Sequence, residues 1–256
     1  MKKIIETPCL PENDVATVLV SSEFPEIQEA LTKKFNIDTI QIPKNTALTE
    51  DISTHPDCVF TQLDNHSAVS DQSVYDMIVN YLTIEECTDF FKVYKTTDSV
   101  KSPYPNDVRL NIRVIADMIL CNTKYVDTRI TEFAEKHNYR LIHCNQGYTA
   151  CSSVILNNNA LITDDESIHH SAVSNGIDSL LINKGSVKLK GQPYGFIGGT
   201  CGMISKNLLA FSGKLDTHTD AELIKSFLLK HNIDYIELSD NPLTDIGGII
   251  PLLEYC

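Results

Sequence analysis

The chain has no tryptophan, and only four of its 21 basic residues are arginine, against 34 aspartates and glutamates. Its formal charge is −13. Polyanion binding needs a contiguous basic face, and no run here supplies one. Nucleic acid and anionic membrane surfaces are therefore not expected partners. A small cationic molecule suits the charge better, although solubility alone also favours an acidic balance. No apolar run approaches the roughly 18 residues that cross a bilayer. The two lysines of Met1-Lys-Lys-Ile-Ile-Glu have no apolar stretch behind them, so no signal peptide is expected and the reading is cytoplasmic. The eight cysteines contain no C-x-x-C pair and are irregularly spaced, which in an intracellular chain reads as free thiols rather than a disulfide framework.

Other motifs are missing too. Gly195-Phe-Ile-Gly-Gly-Thr-Cys-Gly is glycine-rich but lacks the lysine of a phosphate loop and the G-x-G-x-x-G spacing. There is no G-x-S-x-G elbow, and no sequence-local zinc spacing. No cofactor or metal is expected from local motifs; a metal set assembled from distant parts of the chain stays open. Low complexity and long linkers are also absent. The polar stretch Lys95–Pro105 reads as well as a loop as it does as a boundary, so residues 1–256 read as one domain.

What the sequence does contain is a weak repeat. Two short apolar strands flank a polar turn; an Asp, Ser or Thr follows, then an amphipathic helix and another strand. One copy runs Cys58-Val-Phe-Thr-Gln-Leu, Ser67-Ala-Val-Ser-Asp and a helix from about Gln72 to Tyr81. A second has Val114–Asn122, a helix Arg129–Lys136 and Tyr139–Cys144. A third has Ser153-Val-Ile-Leu, Ala160-Leu-Ile-Thr, a helix Ile168–Val173 and Asp178–Ile182. A fourth has Met203-Ile-Ser, Leu208–Gly213, a helix Asp220–Lys230 and Asp234–Leu238. Thr17–Ser22, a helix Glu26–Phe35 and Asp38–Ile42 form the later part of a fifth copy. Its first strand is expected at the C-terminus, in Gly248-Ile-Ile-Pro-Leu-Leu-Glu-Tyr, so that the two ends close one unit. Asp71, Asp127 and either Asp164 or Asp165 stand where helix N-caps belong.

Each first strand is preceded by a polar or glycine-rich lead-in. These are His55-Pro56-Asp57, Tyr104-Pro105-Asn106-Asp107, Gln146-Gly147-Tyr148 before Cys151, Gly198–Gly202 around Cys201, and Asp245–Gly248. They recur at intervals of roughly 50 residues, the range of repeat architectures. Five such units in a closed chain predict a five-unit ββαβ α/β-propeller whose lead-ins converge on an axial pocket.

The strings HPDCVFTQLD, YPNDVRLN, QGYTACS, YGFIGGTCG and LTDIGGII resemble an uncharacterised bacterial family of the guanidino-group-modifying-enzyme fold, the pentein fold. The resemblance spans about Val18 to Leu253. It implies an enzyme of the guanidino-hydrolase or amidinotransferase kind, or a non-catalytic binder of a metabolite or protein partner. The latter is the case in the ribosome anti-association initiation factor that shares the fold. Thr54–Thr61 resembles the His-x-Asp strand of arginine deiminases. That resemblance implies His55 as general acid/base and Asp57 as partner of a guanidinium, whose parallel N–H groups suit a carboxylate.

The family's nucleophilic cysteine follows a glycine-rich lead-in of the last unit, whereas Gly247-Gly248 is followed here by Ile249, Ile250 and Pro251. The nucleophile would then be Cys151, Cys201 or none. Cys151 is preferred, because Gln146, Thr149, Ser152 and Ser153 offer polar surroundings for a thiolate. Asp107, Asn111 and Gln146 are further substrate-binding candidates and Asp245 a weaker one. Asp107 and Asn111 read equally well as turn or cap residues.

Overall fold

Five small sheets carry the chain, each built from the same local grammar. The computed structural model describes every residue from Met1 to Cys256. Strand β1 (Lys2–Ile4) precedes the unit β2 (Val15–Ser21), α1 (Pro25–Phe35) and β3 (Asp38–Ile42). The second unit is α2 (Pro56–Val59), β4 (Phe60–Gln62), β5 (Ser67–Ser70), α3 (Gln72–Ile84) and β6 (Lys92–Lys95). The third is β7 (Arg113–Ile115), β8 (Met118–Cys121), α4 (Thr128–His137) and β9 (Arg140–His143). The fourth is β10 (Ser153–Asn157), β11 (Ala160–Thr163), α5 (Glu166–Ser174) and β12 (Asp178–Leu181). The fifth is β13 (Cys201–Ser205), β14 (Leu208–Phe211), α6 (Ala221–Lys230) and β15 (Asp234–Glu237), and β16 (Ile250–Tyr255) ends the chain.

Within each unit the first two strands pair antiparallel and the helix returns the chain to a parallel third strand. The first unit obeys the same rule through its ends: β16 pairs antiparallel with β2, and β2 pairs parallel with β3. β1 adds an outer strand along β16, which the repeat did not announce. The middle strands β8 and β11 are buried on both faces. That explains their continuous apolar sequences, Met-Ile-Leu-Cys and Ala-Leu-Ile-Thr. Pro251, which has no N–H to give the ladder, sits where the β16 register shifts.

Asp71, Asp127 and Asp165 cap α3, α4 and α5 through carboxylate bonds to backbone N–H groups of the first turn. Asp164, the other candidate for the α5 cap, turns inward instead and accepts from Ile197 N at 3.0 Å. One expected strand is corrected. Residues 56–59 form the short helix α2, and the strand begins only at Phe60. Pro56 at the first helical position supplies the reason, since its fixed φ is already helical and disfavours helix at His55 before it. None of the eight cysteines is disulfide-bonded, and no helix is long and apolar enough to cross a membrane.

Candidate active site

The lead-ins meet one another through glycines that admit neighbouring chain. A Cβ on Gly198 would collide with the carbonyls of Ala150 and Ser153, and one on Gly202 with that of Ile249. Gly247 has φ 77°, and a Cβ there would lie 2.5 Å from the Cα of His55. Only glycine therefore lets the Asp245–Gly248 turn lie against His55. His55 itself is extended (φ −75°, ψ 118°) and precedes α2, whose single turn carries Asp57 and Cys58 inward. A Cβ on Gly199 would overlap the Asp245 carboxylate. That carboxylate accepts from Phe196 N at 2.9 Å and Gly247 N at 3.0 Å, and its Oδ1 lies 3.7 Å from His55 Nδ1.

Cys151 sits in a turn held from two sides. The Arg113 guanidinium donates to Ala150 O at 2.7 Å and Ser153 O at 2.8 Å. Asn111 Oδ1 accepts from Ala150 N at 2.6 Å and Cys151 N at 3.1 Å. The Asn111 Nδ2 group lies 3.1 Å from the Cys151 sulfur and donates to Asp57 O at 3.2 Å. The thiol in turn donates to Asp57 Oδ2 at 2.9 Å.

His55, Cys151 and Asp245 line one cavity of about 300 Å³, together with Tyr148 and Phe196. The two aromatic rings stack with centroids 6.0 Å apart and offer a π-wall on which a flat cation can lie. At the rim Gln192 donates to Asp51 Oδ2 at 2.7 Å. A larger open cleft of about 640 Å³, by His143, Gln146 and Asp165, contains no apolar residue and no cysteine. Its wall therefore lacks the mixed character of a small-molecule site.

Burial dominates the electrostatics. It pushes the Asp57 carboxyl up to about 6, with His55 opposing and Asp245 reinforcing. It also pushes the Cys151 thiol well above its usual range, helped by Cys58 and Asp57. Cys58, drawn down by the neighbouring Cys151 thiol but pushed up by burial and Asp57, stands at about 11. Cys151 is thus a neutral thiol hydrogen-bonded to a carboxylate. A cation placed in the cavity would favour the thiolate. Asp57, Cys58 and Cys151 each bring a donor atom within 4.8 Å of the others, so this is also where a metal could be held.

The structure thus brings Cys151 and His55 to one cavity. Asp57 is not on that wall; it lies behind the sulfur and touches a separate, very small pocket beside Cys9 and Arg113. Asp107 reaches the cavity only through Tyr148, whose hydroxyl donates to Asp107 Oδ2 at 2.9 Å. Burial raises the Asp107 carboxyl, against that bond. Asn111 fixes the Cys151 turn rather than facing the cavity.

Gln146 is a correction. Its carboxamide bonds Asp165 and Tyr148 N on the outer cleft, because the chain turns inward only after Gly147. Cys201 also lies off the cavity, its sulfur 3.8 Å from Ile197 O and its thiol pushed by burial to about 12. Sequence reasoning missed Cys58 and the wall formed by Tyr148 and Phe196. The available signals were that Tyr148 ends one lead-in and that Cys58 and Phe196 stand close to two others.

Five sheets of this connectivity are those of the pentein fold. Residues 19–250 match a family of unknown function, DUF6873, and the chain belongs to that family. No curated protein matches it. Among solved structures it is similar to the C. jejuni agmatine deiminase, at TM-score 0.56 and 12% identity over 93% of this chain and 91% of that one. The inosamine-phosphate amidinotransferase of Streptomyces griseus is similar at TM-score 0.56 and 11% identity, over 98% and 97% of the two chains. DDAH from Pseudomonas aeruginosa, solved with citrulline, is similar at TM-score 0.54 and 10% identity, over 94% and 99%. At these identities the likeness is one of fold.

Proposed function

We propose that the chain modifies a small guanidino-type cation by cysteine chemistry in the axial cavity, as a hydrolase or an amidinotransferase. The observation that carries this reading is the sharing of one cavity by Cys151 and His55, with the Asp57 carboxylate 2.9 Å behind the sulfur. The guanidinium would lie against Tyr148 and Phe196 with its charge toward Asp245. Its approach makes thiolate formation favourable, and the thiol proton passes to Asp57 Oδ2. The sulfur attacks the guanidinium carbon, forming a C–S bond. His55, in its protonated form, donates to the departing nitrogen as the C–N bond breaks, releasing ammonia or the substrate amine. Neutral His55 then takes a proton from water, or from an acceptor amine, which attacks the same carbon. The C–S bond breaks, Asp57 returns its proton to the sulfur, and in hydrolysis the proton left on the ureido oxygen passes to the released ammonia, giving ammonium.

A second reading, a non-catalytic pentein that binds a metabolite or protein partner, is favoured by Ile249-Ile250-Pro251 after Gly247-Gly248 and by the burial of Cys151, which is 2% exposed. Assays on a guanidino panel beginning with agmatine and arginine, reading ureido product, ammonia and released amine, separate the two. Turnover that falls on the order of a thousandfold or more in Cys151→Ser supports catalysis. Binding without turnover, equally tight in Cys151→Ser, supports the second reading and overturns the first.

A further inference from the structure

Cys58 takes no part in the reaction above, yet it is the third member of a closed group. One donor atom from each of Asp57, Cys58 and Cys151 lies within 4.8 Å of the others, and all three residues are buried. Asp57 and Cys151 stand 94 positions apart, so two units assemble the set and no local spacing announces it.

One buried polar atom of the group, Asp57 Oδ1, has no partner. Asp57 is only 2% exposed. A buried acceptor left unsatisfied costs about 1–3 kcal/mol, more when charged, and a cation at this point would relieve that cost.

The donor set decides which cation. Magnesium and calcium seek six or more oxygens, whereas two thiolates with a carboxylate suit a borderline-soft ion of tetrahedral habit. Zinc–sulfur bonds of about 2.3 Å put two tetrahedral sulfurs roughly 3.8 Å apart, inside the observed span. The surroundings fit as well. Asn111 Nδ2 stands 3.1 Å from the Cys151 sulfur and can donate to a ligating thiolate, the outer-shell support that metal ligands require.

We propose that Asp57, Cys58 and Cys151 form a zinc site behind the cavity wall that Cys151 lines. Loading forms two Zn–S bonds and releases the two thiol protons to solvent. It also occupies the sulfur that the reaction needs, so a loaded chain is a silent one. The site does not depend on the guanidino reading: a chain with no turnover would still bind the ion.

Titration of the reduced, metal-free full chain with Cd²⁺ tests this, because thiolate-to-cadmium charge transfer absorbs in the ultraviolet. Native mass spectrometry with Zn²⁺ counts the ions. The site expects one ion per chain and a thiolate band that persists in Cys9→Ala/Cys256→Ala, which removes the two thiols outside the buried set. It also expects affinity lowered at least roughly tenfold in Cys58→Ala, with circular dichroism reporting whether that variant folds. No thiolate band in the wild type, or its loss in Cys9→Ala/Cys256→Ala, overturns the proposal whatever Cys58→Ala does. So does unchanged affinity in a folded Cys58→Ala.

Discussion

The Cys151 sulfur sits between a carboxylate that favours the thiol and an amide N–H that favours the thiolate. Asn111 supplies that N–H, and its other atom holds two backbone amides of the Cys151 turn. It acts through the cysteine, as a positioning residue. Asn111→Ala is expected to slow alkylation of Cys151 roughly tenfold or more and to move the pH midpoint of that alkylation upward. A merely structural role would lower thermal stability without moving the midpoint.

A second buried carboxylate makes a separate pH prediction. Burial pushes Asp164 up to about 7, against the Ile197 N–H and Lys184. A carboxyl raised in the folded state binds its proton there more readily than in the unfolded chain. Its contribution to stability is therefore present at low pH and lost as pH climbs from about 4 through about 7. Asp164→Asn keeps an acceptor for Ile197 N and should remove that loss. Denaturant titrations are expected to show it more stable than wild type at pH 8, by on the order of 2–4 kcal/mol, with the difference shrinking toward pH 4.

At this scale the meeting of His55 and Cys151 on one cavity was legible because the first opens a lead-in and the second follows one. Cys58 was not, since its significance arises only from contact with a residue in another unit. Gln146 misled because membership of a lead-in does not fix which way a side chain points.

The helix caps do more than begin helices. Asp127 Oδ1 accepts from Arg129 N at 2.9 Å while its Oδ2 accepts from the N–H and hydroxyl of Thr97, both at 2.9 Å. Asp71 likewise joins its own helix to Val100 N at 2.8 Å. Each carboxylate thus fastens α3 or α4 to the loop 96–112 between the second and third sheets. Asp127→Ala loses the cap and strands two donors, with an expected cost of about 2–3 kcal/mol, measured as a lowered midpoint in urea with unchanged slope. Caps were readable from sequence because their chemistry is local, an Asp two residues before the N–H it binds. The helix at 56–59 was equally local, signalled by Pro56 at its first position, but it was not read. The apolar run Cys58–Leu63 simply drew the strand boundary two residues too early.

Across the whole molecule, closure rests on β16. This strand leaves the last lead-in, lies between β1 and β2, and so ties the C-terminus to both N-terminal strands. We propose that the 256 residues fold as one unit through this closure. A chain ending at Ile249 is then expected to lose the cooperative thermal transition seen for the full chain by circular dichroism; an unchanged transition would contradict it. The repeated ββαβ order was visible in sequence because strand and helix periodicities are written locally. How the lead-ins meet was not, because glycines such as Gly199 and Gly247 are explained only by the carboxylate and imidazole that fill the space beside them.

We propose that Cys151, among eight thiols, is the one a guanidino-like electrophile finds through the axial cavity. Intact-mass analysis of the reduced, metal-free protein after brief treatment with a haloacetamidine tests it most directly. The expected result is a single rapid adduct, mapped to Cys151, absent from Cys151→Ser and slowed by a competing guanidino compound. Labelling no faster than that of a free thiol, or confined to Cys9 and Cys256, would contradict the claim.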